Sequence, residues 1–280
     1  MMSARHRRSL FAAGAIAAVT LSACSTSESA LEGTMAGHVH NLSLDGDRLL
    51  IGTHEGLWEQ LPGRDPTRLS QEPFDVMGFA QGPERWYASG HPGAGMDGPA
   101  DLGLLASDDE GVTWQEVSLS GDADFHRLAT SGDAILGINA HDGRLLRSED
   151  AGGTWTDLGT PALFDIALDP SNPEVLVATT EEGPVRSTDG GLTLSPVDTP
   201  SLLALLAWSG GTLFSVDIQG QIYTSTDAGT TWEPGGALTG QPSALAANGS
   251  TVAVQVGDAI HVSKDGGATF ETRISDLEGH

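Results

Sequence analysis

SDDEGVTW, residues 107–114, is the stretch that decides the fold, because the chain repeats it. SEDAGGTW follows at 148–155, STDGGLTL at 187–194, STDAGTTW at 225–232 and SKDGGATF at 263–270. The starts lie 41, 39, 38 and 38 residues apart. A fixed period of this size marks an array of like supersecondary units, each burying its apolar face against its neighbours. The shared pattern is Ser-x-Asp-x-Gly-x-Thr-aromatic, degraded only at Leu194. Its chemistry is that of a tight turn. The carboxylate accepts N–H bonds inside the turn, Ser assists, Gly supplies a positive φ, and the aromatic opens the next strand.

Around each box run four short β-like segments separated by turn residues, as in FHRLATSG, AILGINAHDG, RLLRS and TWTDLG of the third unit (125–159). Two units precede that one. The first of them, HVHNLSLDG, RLLIGTHEG and LWEQL, has GRDPT where a box would stand. Six units result. The octapeptide resembles the Asp-box, or BNR repeat, of β-propeller proteins. That resemblance implies an all-β fold, a six-bladed β-propeller of four-stranded antiparallel blades, covering residues 37–277 as one domain. It also implies that the box aspartates Asp109, Asp150, Asp189, Asp227 and Asp265 are structural. In such families they sit between the third and fourth strands, on the face opposite the binding site.

The chain opens MMSARHRRSLFAAGAIAAVTLSAC. A basic start, a short apolar run from Leu10 to Ala23 and small residues before Cys24 have the layout of an export leader, residues 1–23. Leu21 to Cys24 resembles the lipobox of bacterial lipoproteins, and Arg7-Arg8-Ser9-Leu10-Phe11 loosely resembles a twin-arginine signal. Cys24 is the only cysteine, so no intramolecular disulfide forms and lipidation is the expected fate of its thiol. Residues 24–36 then read as a lipidated tether. The expectation is an exported monomer, lipid-anchored on the outer side of the cytoplasmic membrane. With 38 acidic against 13 basic residues, a net charge of −25, the chain repels nucleic acid, and none is expected as partner.

Histidines carry the functional signal. In a propeller the first strand of each blade lines the channel, and its start shares a face with the loop after the second strand. Six of the nine histidines fall on that face, all in the first three units. His38 and His40 open the first unit and His126 the third. His54, His91 and His141 follow second strands. Aligned by repeat, His40, Met77, His126 and Asp165 share one position in units one to four. Imidazole, thioether and carboxylate are metal-ligand types, and His38, His40, His54, His91, His126, Met77 and Asp165 form the candidate set for a copper, zinc or iron ion. No other cofactor is expected. Asp75, Asp124 and Glu55 would orient ligand histidines, and His141 reads as an exposed loop residue. The insert HPGAGMDGPAD (91–101) lies on the same face and reads equally as a cover for the channel mouth or as a surface excursion.

Three functions fit these residues. The first is a metal- or small-ligand-binding propeller. The second is a glycoside hydrolase, because bacterial lipoproteins resembling this chain are often labelled glycosylhydrolase or exo-sialidase. A sialidase needs an arginine triad and a Tyr–Glu pair; here Tyr87 and Tyr223 are the only tyrosines, and Arg127 alone adjoins an inner-strand start. Asp165 with Asp124 or Glu181 would be the carboxylate pair of another glycosidase. The third is a protein-interaction propeller, similar to sortilin-type receptors and photosystem assembly factors.

Overall fold

The structure is a computed structural model that describes residue 35 and residues 38–277. The Cys24 region and the leader lie outside the described residues. Six four-stranded antiparallel sheets follow one another along the chain, each built from consecutive strands. The inner strands are Val39–Asp45, Asp75–Gln81, Phe125–Ser131, Asp165–Asp169, Leu203–Ser209 and Pro242–Asn248. The second strands are Arg48–Thr53, Trp86–His91, Ala134–Asn139, Asn172–Thr180, Thr212–Asp217 and Thr251–Val256. Inner strands of neighbouring blades pack side by side, and the first blade meets the sixth, so the sheets close into a ring. The fold is therefore a six-bladed β-propeller with all-β blades.

The second strands are the core. Leu49, Leu50 and Ile51, Ile135 and Leu136, Leu176 to Ala178, and Val252 to Val254 are all fully buried or nearly so. They are continuous apolar runs because both faces of these strands are covered by neighbouring blades. Where the ring closes, Leu42, Leu49, Ile51 and Trp58 of blade one share one cluster with Ala253, Ile260, Val262 and Ile274 of blade six. Arg273 adds hydrogen bonds across this junction to the backbone oxygen of Gln60 (2.8 Å) and to that of Asp47 (2.5 Å).

All five boxes are turns of one design. Ser Oγ donates to the carboxylate, as Ser148 does to Asp150 at 2.8 Å. The carboxylate accepts the Thr backbone N–H and hydroxyl four residues on, at 2.8 Å each for Thr154. Asp109, Asp189, Asp227 and Asp265 repeat the pattern. These bonds hold the carboxyls low; that of Asp227 lies at about 2, chiefly through Thr231. Trp114, Trp155 and Trp232 each return an indole N–H to the Gly carbonyl of their own box at 3.1 Å. The turn before that Gly is left-handed as well. Glu110, Ala151 and Ala228 adopt φ of 56 to 58°, a feature their residue types do not announce.

Candidate metal centre

One backbone irregularity aims the side chains at the channel mouth. In five blades the inner strand carries a one-residue bulge near its start, and the residue pushed out of register is His40, Met77, His126, Ala204 or Ser243. A bulge re-aims a side chain and is common beside binding sites. Adjacent blades pin these bulges. Asn41 Nδ2 donates to the carbonyls of Val76 (3.1 Å) and Met77 (3.2 Å), and Ser89 Oγ accepts the N–H of Phe125 (3.0 Å).

In blade four the paired inner strand begins only at Asp165, just past the place of the bulge. Asp165 pairs with Thr179 and Ile166 with Ala178 in unbroken register. This corrects the repeat alignment: Thr179, opposite Asp165, takes the place of Gly52, Ser89 and Ile138, so Asp165 is the counterpart of Asn41, Gly78 and Arg127, and Phe164 that of His40. A slip of one residue sends a side chain to the other face. Asp165 is accordingly buried, with Arg127 Nε at 3.3 Å and the Leu206 N–H donating at 2.8 Å. Burial raises its carboxyl above the usual range, against the opposing charge of Arg127. It lies on the wall of an axial cavity of about 210 Å³, together with His40 and His126, but its oxygens are taken.

The histidines of blades one to three do converge, and aspartates join them. His40 Nε2 lies 3.2 Å from His54 Nδ1 and 3.2 Å from Asp75 Oδ1; His54 Nδ1 lies 3.0 Å from Asp75 Oδ2. His91 Nδ1 approaches Asp75 Oδ2 at 3.3 Å from the other side. The far nitrogen of that ring, Nε2, faces Asp124 Oδ2 at 3.4 Å and Asp101 Oδ1 at 3.8 Å. His126 Nε2 reaches Asp124 Oδ2 at 2.8 Å, and His141 Nε2 reaches Asp101 Oδ2 at 2.9 Å. Two groups of ligand-type atoms result, His40, His54 and Asp75, and His91, Asp101 and Asp124, each within 4.8 Å internally. His38 is exposed at the margin, its ring edge-on to His54 with centroids 6.1 Å apart. Met77 is placed in this network only through its backbone carbonyl, and Glu55 is exposed in the turn beyond His54.

Electrostatics follow from this geometry. Burial alone would raise the Asp75 carboxyl; the imidazoles of His40, His54 and His91 close around it outweigh burial and bring the group down to about 2. Asp124 behaves alike, burial opposing and His126 then His91 lowering it. His141 is raised by its hydrogen bond to Asp101. Asp75 Oδ1 and Asp124 Oδ1 are both buried with no donor aligned on them.

Sequence reading cast Asp75 and Asp124 as supports; they sit at the centre of the two groups. Asp101 and His141 were outside the candidate set. The signals were present. Asp75 and Asp124 take the repeat position of His38, two residues before the bulge. Asp101 ends the blade-two insert, whose two ends are thus drawn into the network, with the Asp101 carbonyl held by the Gly121 N–H at 2.8 Å. In blades four and five matching rim positions carry exposed apolar side chains, Phe164 (59 %), Leu202 (38 %) and Ile218 (48 %), while blade six has Gln241 and Ser243 there.

Fold and turns define the class, a six-bladed Asp-box β-propeller. The family described as BNR/Asp-box repeat matches residues 223–234, which contain the whole of the fourth box. No curated protein sequence matches this chain. Among solved structures, the nidogen/laminin complex is similar over 80 % of this chain and 92 % of that one, with 14 % identity and a TM-score of 0.57. A GH74 xyloglucanase from Xanthomonas campestris is similar over 87 % of this chain, with 16 % identity and a TM-score of 0.57. This chain spans only 46 % of that enzyme. YCF48 bound to D1 peptide is similar over 88 % and 85 %, with 20 % identity and a TM-score of 0.53. At these identities the likeness is one of fold.

Proposed function

We propose that the protein is an exported, lipid-anchored propeller that binds a divalent transition-metal ion through His40, His54 and Asp75. One observation carries the reading: His40 Nε2, His54 Nδ1 and the Asp75 carboxylate, from two blades, meet at 3.0–3.2 Å, His40 against Oδ1 and His54 against Oδ2. Tetrahedral coordination with metal–donor bonds of about 2.0–2.1 Å puts donors roughly 3.3 Å apart, close to the spacing at which the two imidazole nitrogens and the carboxylate stand. Hydrogen bonds alone serve the group poorly. A neutral imidazole carries one N–H, so His54 Nδ1 donates to Asp75 or to His40, not to both, and Asp75 Oδ1 keeps no donor. Imidazole with carboxylate suits zinc or ferrous iron.

The glycosidase alternative needs two carboxylates free to face a sugar across the channel. Asp165 is engaged by Arg127 and Asp124 by His126. The GH74 likeness therefore supports the shape of the protein and not a hydrolytic pair. Export and anchoring rest on the leader-like start and Cys24.

The test is elemental analysis of the full chain, expressed with its leader and without a His-tag. Near-stoichiometric zinc or iron that disappears in His54→Ala is the expected result. A metal-free protein that takes up no Zn²⁺ on titration refutes the reading. Membrane release by Cys24→Ser tests the anchor.

A further inference from the structure

The second group of donors is not needed for the ion just proposed, yet it is built with equal care. His91 Nε2 points away from Asp75 toward Asp101 and Asp124. Asp124 is 4 % exposed, and its Oδ1 has no hydrogen-bond donor although its Oδ2 accepts from His126. A buried carboxylate oxygen left without a donor costs about 1–3 kcal/mol or more, unless a cation takes it. Asp101 divides its oxygens, Oδ2 facing His141 and Oδ1 facing His91 Nε2, whereas Asp124 turns one oxygen, Oδ2, toward both His126 and His91.

Resting on the first site, we propose that His91 Nε2, Asp101 and Asp124 hold a second divalent ion, making the blade-one-to-three face a two-ion centre. His126 and His141 orient the two carboxylates from behind. Asp75 joins the sites. One of its oxygens serves the first ion, while the other accepts the His91 Nδ1–H and thereby fixes which nitrogen of that ring is free to ligate. A metal-bound imidazole characteristically donates its other N–H to a carboxylate in this way. The arrangement makes the coupling lopsided. Loss of Asp75 harms both sites; loss of Asp124 harms only the second.

The backbone agrees with a purpose-made pocket. His91 lies directly opposite Asp75 in the sheet, next to the Gly90–Val76 pair where the bulge begins. Gly93 brings the insert so close that a Cβ there would lie 1.6 Å from the Pro73 carbonyl oxygen.

The experiment is Zn²⁺ binding to the metal-stripped full chain in detergent, by calorimetry and by elemental analysis after dialysis. Two ions per chain are expected for the wild type. Asp124→Asn and His91→Gln should each retain one, and so should His54→Ala. Asp75→Asn should lose the first ion and bind the second 10–100-fold more weakly. One ion in the wild type, removed by His54→Ala and untouched by Asp124→Asn, overturns the two-ion centre and leaves the single site standing. No ion at all overturns the single site as well. Two ions that both survive Asp124→Asn and His91→Gln place the second elsewhere and refute this assignment. Thermal melting of each variant separates loss of binding from loss of fold.

Discussion

Gly90→Ala tests whether the bulge in blade two holds the centre together. Gly90 has φ +153°, and a Cβ there would lie 1.7 Å from the Asp75 carbonyl oxygen and 3.0 Å from the Met77 nitrogen. The obstructing atoms are backbone, so they cannot swing aside as a side chain would. The two strands must part by more than an ångström at the pair adjoining Asp75 and His91. Overpacking costs about 1–3 kcal/mol and a conformation reserved for Gly about 1–3 more. Taking about 4 kcal/mol, a domain of this size should lose roughly 8–16 °C in Tm. Gly46→Ala is the control. Gly46 also has positive φ (+58°), but nothing lies within 4 Å of an added Cβ, so only the backbone cost of about 1–2 kcal/mol applies. Scanning calorimetry of both metal-free variants, then Zn²⁺ titration, gives the answer. The 3.3 Å approach of His91 to Asp75 should be lost in Gly90→Ala, and second-site affinity should fall about 10–100-fold. A Gly90→Ala protein that melts with Gly46→Ala and binds Zn²⁺ like the wild type would show that this close approach positions nothing.

Asp165→Asn should leave the Zn²⁺ stoichiometry intact; a lost ion would return Asp165 to the ligand set. Its carboxyl is raised on folding, so it adds stability only at low pH and loses that contribution as pH rises, and at pH 7 the variant should melt no lower than the wild type. Asp227→Asn probes the box turns. With a folded carboxyl at about 2 and an unfolded one near ~3.9, its contribution is present above about pH 4 and lost as pH falls toward 2. Acid titration of stability should therefore show the variant weaker at pH 6 and converging on the wild type below pH 3. Phe125→Ala removes a fully buried ring stacked on Trp155, with centroids 5.1 Å apart, and should cost about 3–5 kcal/mol in denaturant unfolding; a loss below 1 kcal/mol would contradict that packing.

The architecture was legible because the box is local. Its Ser, Asp, Gly and Thr bond one another within eight residues, so the pattern survives in sequence however the blades pack. The site was legible by half. Counting repeat positions put His40, His54, His91 and His126 on one face, and the structure brings them together. The same counting failed by one residue at Asp165, because nothing in LFDIALD reveals that Phe164 takes the place of His40 and Asp165 that of Asn41. Asp75 and Asp124 were read as helpers because a carboxylate before a strand is also an ordinary turn residue. Their central place depends on burial between blades, which only assembly of the ring defines. Asp101 was hidden for a similar reason: the course of an eleven-residue insert is set by contacts such as Leu102 N–H to the Gly90 carbonyl, far from any periodic signal.

Every blade here is cut from one uninterrupted piece of chain. Heredity therefore handles this molecule in whole blades: duplication or loss of a stretch of about forty codons adds or removes one sector of the ring and leaves the others spelled as before. All the clustered histidines and their aspartates are written between codons 38 and 141, and the opposite sectors spell Phe164, Leu202 and Ile218 at the matching places. The sectors that carry the chemistry and the sectors that carry the exposed apolar side chains are thus separate stretches of code.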